Sequence, residues 1–455
     1  MNPITIQNIV AATGGSLICG DLETKITAIC TDTRKIIPGA LFIPLVGENF
    51  DAHDFIDTAL EGGCVAALSA RPCKHTGKAI ISVADTKKAL GDLATFYRNK
   101  FDIPFVAITG SVGKTTVKEL TATVLSARYN VLKTAGNFNN EIGLPLTLFR
   151  LESTHEAAIT EMGMSGFGEI DTLAAIATPD IGIVTNIGLS HIEKLGSQEN
   201  IYKAKAELFP HIKENGTVII NGDDPILSAH RSEIGRKTVS VGLTPGCDLT
   251  AVNISSSPES LTFTVKSALE EVPVTLQIPG EHNVINALLA CAAGQILGIS
   301  LAEAANALSQ YRSTDKRLQL INAGNITIIN DCYNAAPASV EAALKVLCSH
   351  TGRRIAVLGD IKELGTHTEP AHRKIGEQAA CFGTDALFTF GENAAFSAES
   401  AKAKEMKDVF ATNDIETLKS ALQSYLKPGD VVLIKGSRAM KLERITEFLT
   451  ENTIC

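Results

Sequence analysis

The sequence predicts an α/β protein of three domains, covering 1–100, 101–312 and 313–455. Three observations predict it. Short apolar runs alternate with helical patterns along most of the chain. Six of those runs end in a small or polar functional residue: Phe105–Ile108 in Thr109-Gly110, Ala157–Ile159 in Glu161, Ile181–Val184 in Thr185-Asn186, Ile326–Ile329 in Asn330-Asp331, Ile355–Leu358 in Gly359-Asp360, and Val431–Ile434 in Lys435-Gly436-Ser437-Arg438. Between 239 and 278 the pattern changes to β-like segments, which predicts a small antiparallel insertion. Ligands of open parallel sheets bind beyond the carboxyl ends of the strands, so the pattern points to two such sheets. Polar turns after strands are also ordinary, and any one strand end alone says little.

Taken in order, the first block has strand-like runs at Ala40–Val46 and Ala79–Val83 and helical stretches at Asp54–Glu61 and Thr86–Arg98. The segment 99–104 reads as a hinge, because the residue before Pro104 is biased toward extended structure. The second block opens on Phe105–Ile108. Its insertion includes Leu261–Val265 and Val272–Leu276, and a helix follows over Asn283–Leu297. The third block starts near Ser313, with strands at Ile326–Ile329, Ile355–Leu358, Leu387–Phe390 and Val431–Ile434.

Composition bounds the function. Hydrophobic residues are 45% and charged residues 20%, so cores form and disorder is not expected. A net charge of -9 argues against broad nucleic-acid binding, which needs a basic face, while leaving room for a basic pocket. The 10 cysteines, from Cys19 to Cys455, are scattered without a C-x-x-C pair, as reduced thiols of a cytosolic protein are. Met1–Val10 has no basic segment followed by an apolar run, so no signal peptide is read. No apolar stretch is long enough to span a bilayer. A cytoplasmic protein without membrane insertion is expected.

Gly110-Ser111-Val112-Gly113-Lys114-Thr115 lies between a buried strand and a helix whose apolar face carries Val117, Leu120, Val124 and Leu125. That is the context of a phosphate loop. Glycines let backbone N–H groups close around phosphate oxygens, Lys114 reaches the β- and γ-phosphates, and the Thr115 hydroxyl ligates Mg²⁺. The helix N-terminus adds its positive dipole end. The usual first glycine is replaced by Ile108.

Mg²⁺ prefers oxygen ligands, and Glu161 is a fitting partner for Thr115. Taken alone, Glu161 also fits as a helix N-terminal charge, and His191 as a packing or surface histidine. Lys205 falls on the apolar face of a helix predicted over Glu199–Ile212, with Ile201, Leu208, Phe209 and Ile212, while Lys203 has Glu207 at i+4 and reads as solvated. A buried lysine tends to lose its proton. The neutral amine then reacts with CO₂ to a carbamate that offers oxygen ligands to a cation. A snorkelling lysine is the alternative.

Together these residues resemble the Mur ligase family of peptidoglycan synthesis, over essentially the whole chain. The segment Thr109-Gly110-Ser111-Val112-Gly113-Lys114-Thr115-Thr116 looks like the family's phosphate loop, missing first glycine included. Glu161 matches the family's Mg²⁺-binding glutamate, His191 the histidine at a second Mg²⁺, and Lys205 the lysine that the family carbamylates. His282-Asn283-Val284-Ile285-Asn286 resembles the H-N-x-x-N whose first Asn approaches the adenine. Arg317 and Asp331 fall where the family places nucleotide contacts. Thr31-Asp32-Thr33-Arg34 and Asp51-Ala52-His53 resemble a UDP-binding domain. Specific segments hold Asn137, Asn139 and Asn140, then Asn334, then Lys435, Ser437 and Arg438 as expected substrate contacts.

The resemblance implies a small α/β UDP-binding domain, a central P-loop-type parallel-sheet ATPase domain and a C-terminal Rossmann-like α/β domain. It implies a monomeric ligase that uses ATP and two Mg²⁺ ions to join D-Ala-D-Ala to a UDP-N-acetylmuramoyl tripeptide. The D-N-P-[RK] motif of the diamino-acid-adding members is absent near 365–375. Cys332, Ala336 and Ala52 stand where the family usually has Ser, Asn and Gly. Two rivals remain. A folylpolyglutamate-type ligase shares the last two domains but does not need the first block. A regulatory P-loop switch needs the phosphate loop alone.

Overall fold

The apolar runs of the sequence become strands, and the polar residues after them become loops at the strands' carboxyl ends. The computed structural model describes residues 1–47, 49–73, 77–313 and 316–452. By compactness the chain forms two units: Met1–Thr109 with Arg128–Ile183 and Glu207–Val218, and Gly110–Ala127 with Val184–Ala206 and Ile219–Cys455.

In the first unit, β1 (Ser16–Cys19), β2 (Ala28–Cys30), β3 (Ala40–Phe42), β4 (Ala66–Ser69) and β5 (Ala79–Ser82) form a sheet in the order β1-β5-β4-β3-β2. Only the β1–β5 pair is antiparallel. The run expected as a strand to Val46 stops at Phe42. Pro44 lies just beyond, with no N–H to continue a ladder. The expected helix over Asp54–Glu61 starts as a 3₁₀ turn, Ala52–Phe55, and is α-helical only over Ile56–Glu61. Thr86–Arg98 is helical as expected, with the Asp85 side chain accepting from the N–H groups of Lys87 and Lys88.

The same unit holds β6 (Phe105–Thr109), β7 (Val131–Lys133), β8 (Ala157–Glu161) and all but the last residue of β9 (Ile181–Val184), in the order β9-β6-β8-β7. β8 pairs in parallel with β6 and β7. Phe105, Val106, Ala107 and Ile108 are all buried, the reason this strand reads as a continuous apolar run and not an alternating one. The segment 99–104 lies inside this unit. Arg98 just before it donates from Nε to Ala177 O (2.8 Å) and from Nη2 to Thr178 O (3.1 Å), with its guanidinium 4.0 Å from the centre of the Phe105 ring. β10 (Thr217–Asn221) is divided between the two units.

In the second unit, β11 (Lys237–Gly242) pairs in parallel with β12 (Leu249–Ser256). β13 (Leu261–Lys266) and β14 (Glu271–Leu276) complete the expected antiparallel insertion. β13 alternates, with Leu261, Phe263 and Val265 buried and Thr262 and Lys266 exposed, the period of a half-buried strand. The helix His282–Ile296 follows.

The C-terminal part of this unit is a six-stranded sheet. β15 (Gln319–Ala323), β16 (Ile326–Asn330), β17 (Arg354–Gly359), β18 (Ala386–Phe390), β19 (Asp408–Thr412) and β20 (Val431–Lys435) lie in the order β15-β16-β20-β17-β18-β19. All pairs but β15–β16 are parallel. Ile328, Ile355, Val357, Val432 and Ile434 share its core. The two edge strands were not expected from the sequence. β15 and β19 are only partly buried, so neither shows a continuous apolar run.

The helix expected over Glu199–Ile212 spans Gln198–Ala206, followed by a 3₁₀ turn at Phe209–His211. Pro210 explains the difference, because it has no N–H for the Ala206 carbonyl. The expected pairing of Lys203 with Glu207 is not formed either. Lys203 faces Glu199 at 3.6 Å, while the Glu207 carboxylate accepts from the N–H groups of Gly168 (2.8 Å) and Asp171 (3.2 Å). Glu207 thereby serves a helix N-terminus (Glu169–Ala177), where negative charge is favoured.

The described cysteines are free thiols, and Cys455 lies outside the described residues. Among the described residues no helix is long and apolar enough to cross a membrane.

Candidate active site

The phosphate loop leaves β6 and enters the helix Lys114–Leu125 through Gly113, whose φ of 84° is left-handed. The segment after β9 braces it. Ser111 N–H donates to Asn186 O (3.0 Å) and Val112 N–H to Asn186 Oδ1 (3.0 Å). Asn186 Nδ2 (3.0 Å) and Thr185 Oγ1 (2.6 Å) both donate to Val112 O. Gly188 N–H donates to Ser111 Oγ (2.8 Å). Gly110, at φ 146°, is a close approach, since a Cβ there would lie 1.9 Å from Thr185 Oγ1. Lys114 arches over the loop, with Nζ 2.7 Å from Gly110 O and 3.3 Å from Ser111 O. The brace by Thr185 and Asn186 was not foreseen. Its only sequence signal is their place directly after a buried apolar run.

Two further elements reach the loop. Arg317 Nη2 donates to Thr115 Oγ1 (2.9 Å), with the guanidinium 4.2 Å from the Tyr333 ring centre. This joins two residues expected at the nucleotide. Thr116 is the third residue of the helix that the loop enters. Asn283 is buried and donates to Pro279 O (2.7 Å), while Asn286 Nδ2 donates to Asn283 Oδ1 (2.9 Å). A Cβ on Gly113 would lie 3.0 Å from Asn286 Oδ1, so the H-N-x-x-N helix packs directly against the loop.

Lys205 is 1% exposed. Burial, and then the nearby Lys114 cation, hold its ammonium well below the usual lysine range, which favours a neutral amine. The snorkelling alternative does not hold for this side chain. Lys203 is 59% exposed. His191, at φ 66°, caps a short helix, Ile192–Leu195, and its Nδ1 lies 2.6 Å from a carboxylate oxygen of Glu363.

In the first unit, Thr109 Oγ1 donates to Met162 O (3.0 Å). Glu161 is the last residue of β8, not a helix N-terminal charge. Its buried carboxylate accepts from Asn139 Nδ2 (2.9 Å), and its N–H donates to Thr134 Oγ1 (3.0 Å). Asn137 O accepts from Asn139 N–H (2.7 Å). Asn140 Oδ1 accepts from the N–H of Gly143 (2.8 Å), the first residue of the helix Gly143–Leu148. Asp32 caps the 3₁₀ turn Thr33–Lys35 and grips Arg34, Nε at 2.9 Å and Nη2 at 2.7 Å. That pairing holds the Asp32 carboxyl down at about 2.

At the carboxyl ends of β16, β17 and β20 the C-terminal candidates gather. Lys435 is 3% exposed, with Nζ 2.6 Å from Asp331 Oδ2 and 3.0 Å from Asn334 O. Asn334 Oδ1 accepts from Arg438 N–H (3.3 Å), and Ser437 Oγ accepts from Lys362 N–H (2.9 Å). The Arg438 guanidinium instead pairs with Glu443 at 2.6 Å. A cavity of about 430 Å³ opens beside the phosphate loop, walled by Val112, Asn186, Gly188, Ala336, Ala371 and Lys374.

The second unit offers the Thr115 hydroxyl and the His191 imidazole, and the first unit offers the Glu161 carboxylate. Among the described residues no three His, Cys, Asp or Glu side chains form a metal cage. The hydroxyl and the carboxylate are each oxygen donors of the kind that Mg²⁺ takes beside waters and substrate phosphates.

Two family models match the chain, the Mur ligase middle domain over residues 108–294 and the Mur ligase glutamate ligase domain over 316–438. The UDP-N-acetylmuramoyl-tripeptide--D-alanyl-D-alanine ligase of Bacillus subtilis is 40% identical, with 99% of each chain covered. The chain belongs to the Mur ligase family. Its fold matches the MurF crystal structure from Acinetobacter baumannii with a TM-score of 0.93 at 33% identity, covering 99% of this chain and 100% of that one. MurF ligase from Thermotoga maritima in complex with ADP matches with a TM-score of 0.84 at 28% identity, covering 93% and 97%.

The departures from the Mur ligase pattern have local substitutes. Cys332 Sγ donates to Asn330 Oδ1 (2.9 Å), the bond a serine makes, and burial pushes its thiol up to about 11. Ala336 cannot cap the helix Pro337–Cys348, and Ser339 Oγ accepts the Ala336 N–H instead (2.9 Å). Ala52 is buried at the start of its 3₁₀ turn.

Proposed function

We propose that this chain is the ATP-dependent, ADP-forming ligase that joins D-alanyl-D-alanine to a UDP-N-acetylmuramoyl tripeptide in peptidoglycan synthesis. One observation carries the reading. The 40% identity to the Bacillus subtilis ligase covers 99% of the chain, first block included. A P-loop switch has no use for that block, and a folylpolyglutamate-type ligase does not need it.

In this reading 1–100 holds the UDP portion through Asp32, Thr33 and Arg34, 101–312 binds ATP, and 313–455 binds the dipeptide. ATP phosphorylates the terminal carboxylate of the tripeptide. The dipeptide amine attacks the acyl phosphate, and the tetrahedral intermediate collapses with release of phosphate. Lys114 and the loop N–H groups of Gly110–Thr116 neutralise the phosphates. Arg317, already on Thr115, adds a second cation there, and Asn283 and Asp331 complete the nucleotide site. Closure of the last domain excludes water from the acyl phosphate. The cavity beside the loop offers room for a small amine.

Thr115 and Glu161 would hold one Mg²⁺, and His191 with Lys205 a second. The ions supply charge neutralisation at the transferring phosphoryl group. A neutral Lys205 amine adds to CO₂ and loses one proton, so a cation that repels Mg²⁺ becomes an anion that binds it. Asn137, Asn139, Asn140, Asn334, Lys435, Ser437 and Arg438 are assigned to substrate. In this reading the enzyme is a cytoplasmic monomer.

The test is a product assay with diaminopimelate- and lysine-containing tripeptides and several dipeptides. ADP should form in step with product only when a UDP-muramoyl tripeptide and D-Ala-D-Ala are both present. Efficient turnover of a free diamino acid in place of the dipeptide would sink the reading.

A further inference from the structure

His191 and Glu363 are both non-glycine residues in the left-handed region, at φ 66° and 65°. Such backbone persists only where its surroundings over-determine it, and it clusters at functional sites. Here the two strained residues meet. His191 Nδ1 lies 2.6 Å from Glu363 Oε2. Nδ1 is buried and has no hydrogen-bond partner that meets the usual geometry, so this carboxylate is the group that stands beside it. The backbone joins the same segments, with Glu193 N–H donating to Glu363 O (3.3 Å). Gly365 permits the approach, because a Cβ there would lie 3.2 Å from Glu193 Cα. The far side of the Glu363 loop is anchored at the ends of β17 and β20, through Lys362 N–H to Ser437 Oγ (2.9 Å) and Ser437 N–H to Asp360 O (3.0 Å).

An exposed histidine–carboxylate pair would do little by itself. Two strained backbones, a backbone bond and a glycine-permitted approach are more than a surface pair requires. A histidine that ligates a metal through one nitrogen generally gives its other N–H to a carboxylate, which fixes tautomer and ring orientation.

We propose that Glu363 is a positioning residue for His191: reaching in from the last domain, its carboxylate holds the ring at Nδ1, so that Nε2 is the nitrogen presented to the cation. The inference rests on the reading of His191 as a metal ligand. It adds a coupling, since docking of the loop that carries Ser437's partner also sets the histidine.

The test uses the full chain with ¹⁵N-histidine, in Glu363→Gly, Glu363→Asp and His191→Ala variants. Glycine suits the left-handed backbone at 363, so Glu363→Gly removes the carboxylate without adding strain. Ring ¹⁵N shifts at pH 8 without metal or nucleotide should show His191, assigned from His191→Ala, as the Nδ1–H tautomer in the unmutated protein. Glu363→Gly should lose that preference. Mn²⁺ affinity with ADP, read by electron paramagnetic resonance, should fall about tenfold in Glu363→Gly, recover partly in Glu363→Asp, and fall no further when Glu363→Gly is added to His191→Ala. KM for the UDP substrate should stay within twofold. An unchanged tautomer with Mn²⁺ affinity within twofold of the parent, or an undiminished Glu363→Gly effect in the His191→Ala background, overturns the proposal. Wild-type Mn²⁺ affinity in His191→Ala alone overturns instead the metal role on which it rests.

Discussion

Gly110→Ala is the sharpest available test of how the phosphate loop is built. Three costs meet at this position. The φ of 146° is a conformation that residues with a Cβ rarely adopt, at about 1–3 kcal/mol. The new Cβ would lie 1.9 Å from Thr185 Oγ1 and 3.0 Å from Thr185 N, so the loop or β9's end must shift. Overpacking of this kind costs about 1–3 kcal/mol. If Thr185 turns away, its 2.6 Å bond to Val112 O is lost, a further ~0.5–1.5 kcal/mol. The first two together are about 2–6 kcal/mol, a fall of roughly 5–20 °C in the melting of the domain concerned. Calorimetry and far-UV circular dichroism are the assays, since with Trp 0 tryptophan fluorescence has nothing to report. ATP affinity should fall too, because the loop's N–H groups move from the phosphates.

Thr185→Ala supplies the control. It removes the Oγ1 that the new Cβ strikes but leaves the backbone strain. In that background Gly110→Ala should cost less by the steric share, about 1–3 kcal/mol. A Gly110→Ala protein with parental melting and ATP affinity would refute the assigned loop geometry. Equal costs in both backgrounds would show that Thr185 is not what the loop packs against.

Other perturbations separate structural from functional roles. Lys205→Met should keep the fold and lose most ligase activity, while Lys203→Ala, whose pairing with Glu199 is solvent-exposed, should change stability by only about 0–1 kcal/mol and leave turnover intact; full activity in Lys205→Met would remove it from the site. Asn139→Ala leaves the buried Glu161 carboxylate without its amide donor, so stability should drop by about 1–3 kcal/mol and the Mg²⁺ concentration needed for half-maximal rate should rise; titration of Mg²⁺ against rate is the check. Lys435→Met strips Asp331 of its buried cation and should cost about 3–5 kcal/mol, with Asp331→Asn in the same chain recovering part of the loss in calorimetry. Arg98→Lys should not rescue Arg98→Ala in thermal melts, because one ammonium cannot both reach two carbonyls and stack on Phe105 as the guanidinium does.

Much of this molecule was legible because buried strands and amphipathic helices leave periodic marks. Phe105–Ile108 reads as a strand since both faces are covered, and the loop after it follows from Gly113-Lys114-Thr115. The burial of Lys205 came from its i+4 spacing to Ile201, which holds although the helix ends early. Pro210 stands in the sequence as the sign of that early end, inside an apolar pattern that runs on to Ile212. The edge strands β15 and β19 left no mark, because partial burial produces no run. The brace of Asn186 on Val112 and the approach of Glu363 to His191 are tertiary contacts between distant loops, and no local periodicity encodes them.

The buried basic residues make a last distinction that only the structure draws. Arg98 is satisfied by two carbonyls and a ring face, Lys435 by Asp331, and Lys118 by Glu119 at 3.1 Å. Each of these cations has an acceptor or a ring face against it. At Lys205 the charge that weighs on the amine is another cation, Lys114, so burial and repulsion act in the same direction. A lysine in that position is a poor structural ion and a good nucleophile, because losing its proton relieves both penalties and exposes the lone pair that attacks CO₂. In the proposed function a carbamate at Lys205 would turn the repulsion by Lys114 into attraction, so that chemistry at Lys205 and stability at the phosphate loop would favour the same modified state.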